Sequence, residues 1–305
     1  MIHSIRNLDT DFTIEFELGN VCNFKCNYCF PGSNEGNRLW PDIEKVDKAL
    51  LNYIKKHNRK TRLYLIGGEP TLWKHLPRFC NNIKSAHDVT INISTNASKS
   101  MRWWKKYWTS FDVVNISVHH EFSNVEHAIK VADFLYEKNI EVNIDVLMDP
   151  GNFNECKQIV EQCKQSKNLF PIIAKTVIFN GSHIYSTAQL QYMEKFIKRY
   201  PDLKWYNKVM KRPHTQYMID DQLQNNNSYL INNNLNHFKG WKCNLGVDLV
   251  KINSAGDIKG NCGQNLNLNI YNLKGFEIKP VVCEQNTCPC AGETIVTKWK
   301  CNDYF

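Results

Sequence analysis

The chain has 305 residues, enough for one large domain or one plus a small appendage. Hydrophobic residues make up 42% and charged residues 22%, ordinary for a globular protein, and no apolar run approaches the ~20 residues of a membrane span. Met1 to Thr10 has no apolar core and no cleavage site, so no secretory signal is expected there, and the expectation is a cytoplasmic protein without membrane partners. The net charge of +8 suits an acidic or phosphorylated substrate or nucleic acid, or equally a solvated surface rich in lysine.

Phe12, Ile14, Phe16 and Leu18 alternate with Thr13, Glu15 and Glu17, and this period of two predicts a strand that Gly19-Asn20 ends. Pro41-Asp42 opens a helix with an apolar stripe of Val46, Leu50, Tyr53 and Ile54. Further strands are expected over 62–66, 89–94, 113–118, 141–148 and 171–179, with helices over 72–85, 99–108, 125–138 and around Cys156 and Cys163. Cys80, Cys156 and Cys163 fall within helices and are read as packed core residues. Six strand–helix alternations imply a parallel sheet with helices outside. The basic, aromatic segment Lys99 to Trp108 either stacks on nucleic-acid bases or packs an outer helix through Trp104 and Trp108. Another helix is expected from Ser186 to Tyr200, and the asparagine-rich run Asn225 to Asn236 reads as a surface bridge.

The first strand runs into Cys22-Asn23-Phe24-Lys25-Cys26-Asn27-Tyr28-Cys29, three cysteines at C-x3-C-x2-C spacing. Thiolates are the usual ligands of iron–sulfur clusters, and three of them hold three irons of a cubane while leaving the fourth open. Zinc, or three buried structural cysteines, are the alternatives on spacing alone. With 12 cysteines and no export signal, a metal framework is expected rather than disulfides. The second strand ends at Gly67-Gly68-Glu69-Pro70, where glycines let backbone approach a ligand, or simply make a turn.

Together, the three cysteines with Tyr28 before the last and the Gly-Gly-Glu-Pro turn about 45 residues on resemble the radical S-adenosylmethionine (radical SAM) superfamily. The resemblance implies an α/β fold with a partial (β/α)6 TIM-like barrel. It assigns Cys22, Cys26 and Cys29 to a [4Fe–4S] cluster. It assigns Tyr28, Gly67, Gly68, Glu69, Asn96 and Ser117 to S-adenosylmethionine (SAM), with Glu69 at the methionine amino group; capping the next helix is the alternative for Asn96. His119 occupies a position commonly acidic in the family, and is either a general acid or base or a hydrogen-bonded strand-end histidine. Lys175, with His119 a candidate catalytic residue, interrupts an apolar strand and points either inward toward a carboxylate of SAM or substrate or outward into solvent.

A second cysteine zone begins at Cys243 and continues through Gly256 to Cys262, with a hairpin expected over 247–259. Cys283, Cys288, Cys290 and Cys301 follow. This pattern is similar to the SPASM and Twitch extensions of radical SAM enzymes. It implies an auxiliary [4Fe–4S] cluster held by Cys243, Cys262, Cys283 or Cys288, and Cys290, with Cys301 spare; a structural zinc is the alternative.

The expected organisation is therefore a barrel core over 1–185, a bridging helix and Asn-rich linker over 186–240, and a small cysteine-rich β-hairpin and helix extension over 241–305. The expected activity is reductive cleavage of SAM to methionine and a 5′-deoxyadenosyl radical. That radical then takes a hydrogen atom from a peptide or protein side chain, with a flavodoxin- or ferredoxin-like protein as electron donor. Dehydrogenation or related modification of a sugar, nucleotide or other small metabolite is the first alternative. A non-catalytic Fe–S or nucleic-acid-binding protein is the second.

Overall fold

A computed structural model describes residues 2–8, 11–29, 31–168, 170–177, 185–197, 216–224, 229–260, 262–273, 277–288 and 291–300. In chain order the barrel elements are β1 (Ser4–Asn7), β2 (Phe12–Glu17), α1 (Ile43–His57), β3 (Thr61–Ile66), α2 (Leu76–Ala86), β4 (Val89–Thr95), α3 (Met101–Tyr107), β5 (Val113–Val118), α4 (Val125–Glu137), β6 (Glu141–Met148), α5 (Phe153–Cys163), β7 (Ile172–Thr176) and α6 (Thr187–Ile197). The later strands are β8 (Tyr217–Ile219), β9 (Gln222–Gln224), β10 (Lys242–Cys243), β11 (Leu249–Ile252), β12 (Asp257–Lys259), β13 (Asn265–Asn269), β14 (Val281–Val282) and β15 (Lys298–Trp299), with short helices at Tyr229–Asn232 and Ala291–Thr294.

Strands β2 through β7 pair in chain order, all parallel, as the alternating sequence predicts. One face of each strand is buried against the helices: Phe12, Ile14 and Phe16 on β2, Leu63 and Leu65 on β3, Ile91 and Ile93 on β4. The opposite face lines the concave side of the sheet and is mostly polar, with Glu15, Glu17, Asn92, Asn115, Asn143 and Asp145 on it. Helix α1 starts where Asp42 accepts hydrogen bonds from the Glu44 and Lys45 amides and stops where Asn58 turns left-handed at φ +48°. Its stripe of Val46, Leu50, Tyr53 and Ile54 is fully buried; each such side chain contributes ~2 kcal/mol of apolar burial. Together the parallel sheet and outer helices form the expected partial barrel.

Several local expectations need correction. The helix expected from Leu72 starts at Leu76, because Pro70–Leu72 forms a 3-10 turn capped by Glu69. The last barrel strand ends at Thr176 rather than Phe179, and α6 is described only to Ile197. Trp104 is fully buried, and Trp103 and Trp108 pack against the same core. The Trp104 ring is thus spent on the barrel core. Cys80, Cys156 and Cys163 are buried core residues, as expected.

The expected hairpin exists as antiparallel β11 and β12, but β11 also pairs in parallel with β2. The barrel sheet therefore grows to nine strands in the order β13-β12-β11-β2-β3-β4-β5-β6-β7. A second sheet runs β14-β10-β15-β1-β8-β9, so the N-terminal strand β1 sits between β8 and β15. No helix among the described residues is long and apolar enough to cross a membrane.

Candidate functional site

The site is built on the carboxyl ends of β2 to β5, where loops of a parallel α/β sheet gather. After β2 the chain enters the three-cysteine loop. Asn20, 1% exposed, organises it: its amide donates to the Gly32 carbonyl and to Asn37 Oδ1, each at 2.7 Å, and its Oδ1 accepts from the Arg38 amide at 2.7 Å. Cys26 is buried while Cys22 and Cys29 are half-buried, and all three are free thiols. They feel one another electrostatically, so the loop gathers them into one neighbourhood. Burial raises the Cys22 thiol above its ordinary value and pushes Cys26 up to about 12. Deprotonating both is therefore costly until a cation compensates them.

The Gly-Gly-Glu-Pro turn packs directly on this loop. The Gly68 amide donates to the Gly19 carbonyl at 3.0 Å, and the Glu69 amide to the Val21 carbonyl at 2.8 Å. A Cβ on Gly67 would stand 2.4 Å from the Gly19 carbonyl oxygen, and one on Gly68 2.3 Å from that of Val21. Both glycines are thus required by backbone contact with the cysteine loop, a reason the sequence alone did not disclose.

Glu69 is 1% exposed. Its Oε1 accepts from the Thr71 amide at 3.0 Å, the Thr71 hydroxyl at 2.6 Å and the Thr95 hydroxyl at 2.8 Å; its Oε2 accepts from the Asn96 amide at 2.6 Å. Burial raises its pKa while these bonds oppose the rise. No lysine, arginine or histidine among the described residues forms an ion pair with it. A buried carboxylate held by neutral donors, with acceptor capacity left on Oε2, is suited to an ammonium group. The Asn96 side chain donates to Asn23 Oδ1 at 3.0 Å and accepts from the Ser98 amide at 3.0 Å, tying the end of β4 to the cysteine loop. Helix α3 is capped instead by Ser100.

The loop after β5 closes on the same cysteines. His119 Nδ1 lies 3.3 Å from Cys26 Sγ and 3.1 Å from the Tyr28 hydroxyl. The Tyr28 and His119 rings stack at 5.8 Å and 8°. Burial, followed by the neighbouring His120 and Lys175, lowers His119 to about 4, so the imidazole is neutral near pH 7. His120 pairs with Asp149 at 3.1 Å, Glu121 accepts from the Asn27 amide at 3.3 Å, and Phe122 stacks on Phe24 at 5.5 Å. His119 is thus hydrogen-bonded at the end of β5.

Ser117 and Asp145 stand side by side on the concave face of β5 and β6. Lys175, on the same face of β7, pairs with Asp145 at 3.0 Å. Its inward carboxylate partner is therefore a residue of the barrel itself. Farther along this face Asn143 donates to Asn115 at 3.0 Å, and Glu17 is held between Arg38 and Lys251, the latter at 3.2 Å. Lys251 comes from β11, so the C-terminal region contributes to the barrel interior. Asn20, Asp145 and Lys251 were not legible as site residues, because each acts through pairings set only by the fold; Lys175 was singled out in the sequence, but its partner Asp145 was not.

In the second cysteine zone Cys243 lies on β10, Cys262 in the turn between β12 and β13, Cys283 just after β14, and Cys288 in the loop before Ala291–Thr294. Cys262 and Cys288 each feel Cys243, and Cys283 feels both Cys243 and Cys262. Burial pushes Cys262 up to about 11 and Cys288 up to about 12. The buried Lys298 ammonium, bonded to the Glu293 and Thr294 carbonyls, opposes the rise at Cys243 and Cys288. Cys290 and Cys301 lie outside the described residues. Among the described residues no group of three or more His, Cys, Asp or Glu side chains is close enough to grip one metal ion. A cubane differs from a single ion in spreading its thiolates over separate irons.

Residues 16–163 match the family model described as the radical SAM superfamily. The radical SAM cyclopropyl synthase TigE of Paramaledivibacter caminithermalis is 25% identical over 190 residues, 52% of this chain and 40% of that protein. An S-adenosylmethionine-dependent nucleotide dehydratase of Fibrobacter sp. is 36% identical over 92 residues, 28% of this chain and 27% of that protein. The chain thus spans less than half the length of either relative. Among solved structures, Streptococcus suis SuiB bound to precursor peptide SuiA is similar at a TM-score of 0.54 and 14% identity, covering 88% of this chain and 65% of that one. The enzyme anSMEcpe with bound AdoMet is similar at 0.53 and 15% identity, covering 85% and 79%. At such identities these two likenesses speak for the fold alone. The matching stretch, residues 16–163, carries both the cysteine loop and the Gly67–Pro70 turn, and over that stretch the chain is similar to the radical SAM superfamily.

Proposed function

We propose that this chain is a radical SAM enzyme that modifies a peptide or protein side chain and carries an auxiliary cluster. The likeness to that superfamily implies a [4Fe–4S] cluster and SAM; on this reading Cys22, Cys26 and Cys29 hold the cluster and leave one iron for SAM. The observation that carries the assignment is Glu69, a buried carboxylate without a cation partner among the described residues, fixed beside three gathered thiols. When bound, cluster and cofactor supply reductive cleavage of SAM and a 5′-deoxyadenosyl radical that takes a hydrogen atom from the substrate.

The chain's own residues then divide the remaining work. Glu69 Oε2 accepts the methionine ammonium, and the Gly67–Gly68 backbone lets the turn lie against the cysteine loop. Tyr28, Asn96 and Ser117 border the rest of the cofactor. The polar concave face, with Asn115, Asn143 and the Asp145–Lys175 pair, orients a polar substrate by hydrogen bonds rather than by apolar contact. A small flavodoxin- or ferredoxin-like protein delivers the electron. The barrel core, linker and cysteine-rich regions keep the boundaries 1–185, 186–240 and 241–305 on this reading.

On this reading Cys243, Cys262, Cys283 or Cys288, and Cys290 hold the auxiliary [4Fe–4S] cluster. Support comes from Cys243 and Cys288, distant in sequence, lying near one buried lysine, and from Cys262 lying within electrostatic reach of Cys243.

A peptide substrate is favoured by the fold shared with SuiB, seen with its precursor peptide. A nucleotide or other small polar metabolite is the second reading, favoured by the 36% identity to a nucleotide dehydratase. Anaerobic reconstitution with iron, sulfide, dithionite and SAM tests the core of this reading. Production of 5′-deoxyadenosine by the wild type and none by Cys26→Ala supports it; equal production by both refutes the site. Stimulation of turnover by a peptide set against a nucleotide set then separates the two substrate classes.

A further inference from the structure

The β5 loop meets the cysteine loop at four successive residues. His119 touches Cys26, Tyr28 and Phe24; His120 stacks on Tyr28; Glu121 holds the Asn27 amide; Phe122 stacks on Phe24. Only one of these contacts reaches a thiol. His119 Nδ1 stands 3.3 Å from Cys26 Sγ, and the Tyr28 hydroxyl, 3.1 Å from the same nitrogen, also bonds that sulfur. The imidazole is fixed in place by the stacked Tyr28 ring and by its backbone amide, which donates to Ser123 Oγ at 2.9 Å.

A thiolate bound to iron has no proton to give, so it can only accept. The short Nδ1–Sγ contact is then favourable in one tautomer, with the proton on Nδ1. In that tautomer Nδ1–H points at both Cys26 Sγ and the Tyr28 oxygen, and the Tyr28 hydroxyl is free to donate to the sulfur. Hydrogen bonds to cluster sulfurs stabilise the more negative, reduced state and so raise the reduction potential.

We propose that His119 is a positioning residue of the SAM-binding cluster: with Tyr28 it donates hydrogen bonds to the Cys26 sulfur and sets the cluster's reduction potential. The inference rests on Cys26 being a cluster ligand and deepens that reading. It gives the imidazole a task other than proton transfer to substrate. It also gives Tyr28 a task for its hydroxyl, distinct from any its ring performs.

The test is an EPR-monitored redox titration of the reconstituted full chain, with iron counted in each variant. His119→Phe removes the donor and keeps a ring to stack on Tyr28. Tyr28→Phe removes the hydroxyl alone. His119→Asn places an amide N–H near the position of Nδ1. The expected result is a downward shift of the midpoint potential in His119→Phe and in Tyr28→Phe at unchanged iron content, with the shift reversed in His119→Asn. Wild-type potential in a fully loaded His119→Phe overturns the proposal. Should His119→Phe fail to load iron, Tyr28→Phe carries the test: a lowered potential supports the proposal and an unchanged one overturns it. Cys26→Ala is the separate control. If it keeps the full iron content and the same EPR signal, the ligand assignment itself fails, whatever the His119 variants do.

Discussion

The two cysteine zones of this protein are assembled in opposite ways. In the first, Cys22, Cys26 and Cys29 lie within one loop, and the turns after β3, β4 and β5 are braced against it. In the second, Cys243, Cys262, Cys283 and Cys288 come from separate strands and turns across 46 residues and meet only because two sheets hold them. The first zone is a local motif stabilised by the fold; the second is a product of the fold. The first should therefore tolerate damage in the second better than the reverse, since the second has no local scaffold of its own.

Removing ligands tests this most directly. Cys26→Ala should abolish 5′-deoxyadenosine formation while leaving about four irons per chain at the second zone. Cys262→Ala should leave the first cluster's EPR signal and its response to SAM in place. Loss of both signals in either variant would show the zones to be one cooperative unit. Glu69→Gln should come next in size. It keeps the shape of the side chain but removes the buried negative charge, and SAM should bind ~10–100-fold more weakly, matching ~1.5–3 kcal/mol for a charge-assisted bond. The measurement is the SAM-induced change in the EPR spectrum, titrated against concentration.

Gly68→Ala acts on packing rather than on a ligand. Its methyl group would press on the Val21 carbonyl, so unfolding in urea should show a loss of ~1–3 kcal/mol. An unchanged midpoint would mean that the turn and the cysteine loop part easily, against the bracing described above.

The smallest effect belongs to the barrel body, away from both zones. His57, 6% exposed and stacked on Phe12 at 3.6 Å, is lowered to about 4 by burial and, secondarily, by Arg59. Its folded pKa lies below its unfolded value of ~6.5, so the unfolded chain binds the proton first as pH falls. Its contribution is whole above about pH 6.5 and is lost toward pH 4, amounting to ~1–2 kcal/mol at pH 5. His57→Phe should flatten that part of the stability curve while leaving iron content at both zones unchanged.

The barrel was largely legible in the sequence because its signal is local. Phe12 to Leu18 and Glu141 to Met148 alternate visibly, and C-x3-C-x2-C needs no partner from elsewhere. What stayed hidden depends on pairings between distant residues. Ser4–Asn7 is too short and too polar to show a period, yet it is an interior strand of the second sheet. The parallel pairing of β11 with β2 joins residues more than two hundred apart, and no spacing rule announces it. Glu69 was legible as a site residue, but two of its four donors were not, since Thr95 ends the next strand and Asn96 follows it. Gly67 and Gly68 were noticed for the right position and an incomplete reason: their missing side chains make room for Gly19 and Val21.

Strand β1 finds its neighbours only at Tyr217–Ile219 and Lys298–Trp299. During synthesis Ser4–Asn7 therefore waits, unpaired, while β2 to β7 zip together one after another behind it. Such long-range closure is slow compared with neighbour-to-neighbour pairing. The nascent chain thus passes through an interval in which the first cysteine loop has its bracing turns and the second zone does not yet exist, and folding of the two zones can proceed in that order.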